Sequence, residues 1–189
     1  MMRIITGKAR GVRLATLEGE ATRPTTERVK EAVFSMLQFE IEGRQVLDLF
    51  AGCGQLSLEA LSRGAAHAVM VDKSADAVKI IRQNALKTRL DGLCEIYNCE
   101  YGDYIRKNHG KRFDLVFLDP PYALNLCERV IGELLAADML KSGTLIVCET
   151  GNEDVFLGND ALADKFEIIK KVRYSHSYVT IISPKKVED

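Results

Sequence analysis

Asp48, Asp72 and Asp119 each close a short apolar run, in "QVLD", "AVMVD" and "LVFLD". A carboxylate at the end of a buried strand emerges where open α/β sheets bind their ligands. Gly52 and Gly54 follow Asp48, and two glycines there let the backbone pass close to a ligand. The third position of a dinucleotide-type G-x-G-x-x-G is Ser57 instead of glycine, which weakens a pyrophosphate reading. Asp72 stands eighteen residues past Gly54, where its carboxylate can accept hydrogen bonds from both ribose hydroxyls. Asp48 would oppose a pyrophosphate and attract an ammonium. An adenosine ligand with a positively charged amino-acid end satisfies all three features. S-adenosylmethionine fits; NAD fits poorly.

The acid after the next such run sits in "FDLVFLDPPYAL". Neither Pro120 nor Pro121 can donate to a strand ladder, so the strand must stop at Asp119. A stiff corner results, with a carboxylate behind it and the Tyr122 ring in front. The exocyclic amine of a nucleobase is a poor nucleophile, because its lone pair is delocalised into the ring. The Asp119 carboxylate and the Pro120 carbonyl can accept its hydrogens and turn that lone pair toward a methyl sulfonium, while Tyr122 stacks on the base. Glu100, after the strand "CEIYN", can reach an adenine amine, and Asp103 competes with it for that role. His67, His109 and His176 are far apart and read as surface or turn residues. Ser35, Ser57 and Ser62 lack a nucleophile elbow.

The elements that must hold these residues alternate. Strands are expected at "QVLDLF", "AHAVMVD", "CEIYN", "RFDLVFL" and "GTLIVCE", with helices at "LSLEALSRG", "SADAVKIIRQNALKTRL", "GDYIRKN" and "LCERVIGELLAADML". Such alternation gives parallel strands with helices on both faces. The segment "KFEIIKKVRYSHSYVTIIS" holds two strands without a helix between them, so that pair must be antiparallel. Ahead of this core, "MRIITGKARGVRLATL" reads as a basic β-hairpin and "RPTTERVKEAVFSMLQF" as a helix capped by Thr25 or Thr26.

The 189 residues carry a net charge of −1, with 47% hydrophobic and 28% charged residues. That is a globular composition, and no apolar stretch reaches membrane-spanning length. Five cysteines without a C-x-x-C spacing predict reduced thiols, no metal site and a cytoplasmic location. The charge is unevenly spread. Residues 1–30 hold seven Lys or Arg against three Glu, a balance of +4. A polyanion would meet that segment, with Arg3, Lys8, Arg10, Arg13 and Arg23 as candidate phosphate contacts; a solvated, mobile arm is the alternative.

"RIITGKARGVRL", "RPTTERVKEAVFSML", "DLFAGCGQLSLEALSRGA" and "DPPY", in this order, resemble the bacterial 16S rRNA guanine-N2 methyltransferases (RsmD-like). The resemblance implies a class I S-adenosylmethionine-dependent methyltransferase fold, Rossmann-like and mostly parallel. The length of 189 residues reads as a single domain, with a basic hairpin-and-helix extension at 1–40 and the core at 45–183. The resemblance further implies methylation of one guanine N2 in 16S rRNA, on the small subunit or an assembly intermediate, with no membrane and no obligate protein partner. Cofactor contacts then fall on Asp48, Gly52, Gly54 and Asp72, and the target-base site on Asp119 to Tyr122. The chain departs from the family pattern at Cys53, Gln55 and Ser57, and at Tyr174-Ser175, where "YG" is usual. The rival readings are a DNA adenine-N6 methyltransferase, an NAD-dependent oxidoreductase and a non-catalytic RNA-binding module.

Overall fold

The computed structural model describes residues 2–17, 24–121, 126–174 and 177–186, and of residues 24–26 the backbone alone. Tyr122, Arg23, Ser175 and His176 lie outside the described residues. The fold is mixed α/β with seven strands, mostly parallel. The residues group into two compact units, 1–101 and 102–189.

The first unit contains α1 (Pro24–Met36), β1 (Gln45–Asp48), α2 (Gln55–Ser62), β2 (His67–Asp72), α3 (Ala75–Thr88) and β3 (Cys94–Asn98). Its strands lie in the order β3-β2-β1, all parallel. Residues 68–71 of β2 are completely buried, as befits a strand covered on both faces. α3 shows how local signals and packing agree. Ser74 caps it by accepting from Ala77 N at 3.3 Å, Asp76 and Lys87 suit the dipole at its two ends, and Ala77, Ile81, Asn84, Ala85 and Thr88 form its buried stripe.

Helix α1 corrects the expected cap. It begins at Pro24, so Thr25 and Thr26 sit inside the first turn. Proline's fixed φ and missing N–H suit a first helical position.

The N-terminal segment has the connectivity of a hairpin, but not two regular strands. Ile4 N donates to Val12 O and Leu14 N to Met2 O, with one antiparallel bridge between Arg3 and Arg13. The rest of its backbone turns toward α2. Ile5 N and Thr6 N donate to the Glu59 carboxylate at 2.7 and 3.0 Å. Lys8 N donates to Ser62 O at 2.8 Å, and Ala9 N to Ser62 Oγ at 2.9 Å. Gly7, at φ 87°, packs so closely that a Cβ there would stand 1.8 Å from Ser62 O. The segment is therefore bolted to α2, which argues against the alternative of a solvated, mobile arm.

Glu59 is completely buried and is matched by two cations. Arg63 Nε lies 2.8 Å from it and the equally buried Lys30 Nζ 3.6 Å. Burial pushes the Lys30 ammonium below its usual range, and Glu59 opposes that shift.

The second unit contains β4 (Phe113–Leu118), α5 (Cys127–Ala136), β5 (Leu140–Thr150), α6 (Asp160–Ala163), β6 (Phe166–Tyr174) and β7 (Ser177–Pro184), and begins within α4 (Tyr101–Lys107), whose first residue belongs to the first unit. Its order is β4-β5-β7-β6. β4 and β5 are parallel, and β7 runs antiparallel to both β5 and β6, as the missing crossover helix requires. Among the described residues, no helix is long and apolar enough to cross a membrane.

Candidate active site

In the first unit, the end of β1, the turn after it and the start of α2 bring the first candidate residues together. Gly52 and Gly54 take φ values of 55° and 79°, in the left-handed region that favours glycine. Their surroundings differ. At Gly54 a Cβ would stand 3.3 Å from Ile81 Cγ2 and Met70 Sδ, whereas at Gly52 it would meet nothing within 4 Å. Gly54 thus serves helix–strand packing, and Gly52 leaves open space along the loop backbone.

Asp72 holds that loop. Its carboxylate accepts from Gly52 N at 2.9 Å and from Ser74 N at 2.8 Å, one on each oxygen. A carboxylate has about four lone-pair sites, so each oxygen keeps capacity for a ligand hydroxyl. The end of β3 is stitched to the same corner: Asn98 Nδ2 donates to Asp72 O and Lys73 O, and Cys99 N to Asp72 O. Glu100 follows directly, largely exposed, with Lys73 Nζ at 3.9 Å. The Phe50 and Tyr101 rings lie 5.4 Å apart in this corner. Asp103, the competitor of Glu100, is bonded by Arg106.

Asp48 is 1% exposed. It accepts from Ser57 Oγ at 3.0 Å, and burial raises its carboxyl to about 7. Ser57, unremarkable in sequence except as a missing glycine, is therefore the direct partner of the acid at the strand end. A buried carboxylate poised between charged and neutral suits a cationic ligand group, which would favour the charged form.

Asn84 is a residue that sequence reading passed over. Its carboxamide, completely buried, accepts from Ala15 N at 2.8 Å and donates to Ala15 O and to Cys53 O, both at 2.9 Å. One side chain thus ties the N-terminal segment to the glycine loop. The available signal was an amide in the α3 stripe, among Ala77, Ile81 and Ala85.

In the second unit, β4 ends at Leu118, as the prolines require. Asp119 is half-buried, Pro120 buried and Pro121 exposed. A cleft opens beside them, lined by Pro120, Pro121, Cys127, Glu149, Thr150 and Asn152 among others. Cys127 and burial hold the Cys148 thiol well above its usual range, which keeps that sulfur in its unreactive thiol form. Of the basic candidates, Arg3, Lys8, Arg10 and Arg13 are all exposed. Arg3 pairs with Glu27 at 3.3 Å.

The family described as Conserved hypothetical protein 95 matches residues 2–183. Ribosomal RNA small subunit methyltransferase D of Haemophilus influenzae is 36% identical over 151 residues, 79% of this chain and 78% of that protein. The solved structure of yhhF from Escherichia coli superposes with a TM-score of 0.84 at 28% identity, covering 97% of each chain. An RNA methyltransferase from Salinibacter ruber, solved with S-adenosyl-L-homocysteine, shares the fold, with a TM-score of 0.65 at 18% identity over 88% of this chain and 97% of that one.

Proposed function

This chain belongs to the Conserved hypothetical protein 95 family, and from that premise we propose that it is an S-adenosylmethionine-dependent methyltransferase of ribosomal RNA, acting on the exocyclic N2 amine of a guanine in 16S rRNA. The carrying observation is the corner built from Gly52, Asp72 and Asp48: an open glycine backbone, a carboxylate with acceptor capacity left over, and a buried acid suited to a cation. The methyltransferase relative covering 79% of the chain supports the same reading.

Gly52 and Gly54 form the cofactor loop, Asp72 takes the ribose hydroxyls and Asp48 the amino-acid ammonium. Glu100 takes the adenine amine, beside the half-buried rings of Phe50 and Tyr101. When bound, S-adenosylmethionine supplies a methyl group on a sulfonium, an electrophile that needs no further activation. The remaining work falls to the chain. Asp119 and the Pro120 carbonyl accept the two hydrogens of the guanine amine, localise its lone pair and aim it; proline stiffness fixes that aim. Guanine offers adjacent N1–H and N2–H donors, which an acceptor-only carboxylate suits. Once the nitrogen holds the methyl group it sheds one proton, which Asp119 can take and pass to water. Tyr122 is the stacking partner in this reading, and Arg3, Lys8, Arg10, Arg13 and Arg23 hold phosphates. The cytoplasm is the proposed location, in line with five cysteines that are not joined in disulfides.

Transfer of labelled methyl groups to small subunits, naked 16S rRNA and DNA, followed by nucleoside mass spectrometry, tests the assignment. N2-methylguanosine is the expected product. N6-methyladenine in DNA would replace this reading with the adenine rival, and no cofactor binding by calorimetry would leave only an RNA-binding module.

A further inference from the structure

The basic N-terminal segment has a counterpart that neither spacing nor motif singles out. Residues 165–186 hold six Lys or Arg (165, 170, 171, 173, 185, 186) against Glu167, a balance of +5. Residues 31–164 hold thirteen against twenty-one acids, a balance of −8. The structure gathers the six cations on the terminal hairpin. β6 is the last strand of its sheet, bonded on one side only, to β7. Lys185 N donates to Lys165 O at 2.9 Å, so the two ends of the hairpin bring two lysines opposite each other. Lys171 and Arg173, two residues apart, share one face of β6, and Lys170 takes the other.

All six are exposed, and among the described residues none lies in an ion pair with a carboxylate. Of the thirteen cations of residues 31–164, eight are so paired: Arg44, Arg63, Lys73, Lys79, Arg106, Arg112, Arg129 and Lys141. Lys165 and Lys185 set like charges opposite each other where the hairpin ends, a destabilising arrangement that an anion from outside would relieve; Lys170, Lys171 and Arg173 stand opposite Ile181, Thr180 and Tyr178.

Lysines also guard edge strands against pairing with other chains, and a bulge helps; β6 has a register shift between Ile168 and Lys170. Protection alone accounts poorly for the neighbouring residues. Ile168 and Ile169 are 53% and 51% exposed on the same edge, and an edge built only to repel strands would not display two isoleucines. An edge carrying cations beside apolar side chains suits a polymer with phosphates on its outside and flat rings and sugars between them.

We propose that the β6 edge is a second RNA-contacting surface, in which Lys170, Lys171 and Arg173 hold backbone phosphates of the same substrate. From Lys165 to Arg173 the strip runs eight residues, roughly 26 Å, long enough to follow several nucleotides. Arg173 already lies over the Tyr178 ring at 5.7 Å, which fixes its guanidinium while leaving its N–H groups available. The proposal rests on the reading of the protein as an RNA methyltransferase.

The test is a salt titration of 16S rRNA binding by the intact protein, its Lys170→Gln, Lys171→Gln, Arg173→Gln variant and an Arg10→Ala, Arg13→Ala variant. S-adenosylmethionine binding and sedimentation serve as controls. Each lost phosphate contact flattens the plot of log affinity against log salt by ~0.7, so the triple variant should lose about 2 units of slope. It should bind cofactor normally and stay monodisperse if the parent does. An unchanged slope in a folded triple variant overturns the proposal, and new self-association in that case assigns the lysines to edge protection. A lower affinity with unchanged slope also overturns it, by removing the phosphates from the contact. If the parent binds 16S rRNA with no salt dependence, the functional reading itself fails. If only the Arg10, Arg13 variant flattens, that reading stands and the β6 surface falls.

Discussion

Asp72 has two tasks in the structure, and both argue for a large effect on its removal. It accepts from Gly52 N and Ser74 N, and in the proposed function it also takes the ribose. Losing a hydrogen bond to a charged group costs ~1.5–3 kcal/mol, so Asp72→Ala should weaken S-adenosylmethionine binding at least about tenfold in calorimetry. An unchanged dissociation constant would place the ribose elsewhere. Asp119 belongs to a different step. Asp119→Ala should leave cofactor affinity intact and lower methyl transfer by ~100-fold or more, the scale of one lost preorganised contact in the transition state. Near-normal turnover would reduce Asp119-Pro120 to a strand-ending turn. Asp48 gives a pH signature. Burial raises its folded-state value from 3.8 to about 7, so the native state binds this proton more tightly than the unfolded chain does. Its contribution to stability is fully present below the unfolded value and is lost as pH rises through about 7. A ligand ammonium favours the ionised form. Cofactor affinity should therefore increase between pH 5 and 7, by up to about tenfold per unit for one linked proton, and Asp48→Asn should abolish that slope. A flat profile in the parent protein would remove the ammonium from Asp48.

At the scale of elements, the strand–helix order and the glycine turn were legible because each depends on local chemistry. Apolar runs of strand length end at acids, glycines follow, and the missing crossover helix fixes the antiparallel pairing of β7. The N-terminal segment was only half legible. Its alternation suggested two strands, but Ile5 N, Thr6 N, Lys8 N and Ala9 N are taken by Glu59 and Ser62, some fifty residues away in sequence. No local pattern announces such partners. Nothing in the sequence around Glu59 sets it apart, and only the burial of residues 57–62 of α2 makes it a fastening. Ser57 and Asn84 were missed for the same reason: their meaning lies in what they touch across the fold. The docking is testable at Gly7. Alanine there must adopt a left-handed φ, which costs roughly 1–2 kcal/mol, and its Cβ would collide with Ser62 O. Gly7→Ala should lower Tm by several degrees and weaken RNA binding more than cofactor binding, read by thermal melts and paired titrations. A variant with parental Tm and RNA affinity would show that the close approach to α2 is dispensable.

For the whole molecule, a net charge of −1 means that its overall field neither draws nor repels RNA strongly, so recognition must come from local concentrations of cations. The first 30 residues are one of them, at +4. Within that segment, Arg3 and Lys30 are engaged by Glu27 and Glu59. Lys8, Arg10 and Arg13 are exposed, with no carboxylate at ion-pair distance among the described residues. Arg10 and Arg13 flank Gly11, on a turn whose backbone is held by α2, so they are presented on a fixed base. Phosphate contacts made from such a base supply affinity without reading sequence. The Arg10→Ala, Arg13→Ala variant should lose about 1.4 units of the slope of log affinity against log salt while binding S-adenosylmethionine normally. Counterion release counts contacts, so losses at independent contacts add. Joined to the Lys170, Lys171 and Arg173 substitutions, the combined loss should approach ~3.5 units. A combined loss no larger than that of either variant alone would mean that the two cation clusters serve one and the same set of phosphates. An unchanged slope in a folded Arg10, Arg13 variant would mean that these arginines are solvated and that the RNA docks on another face.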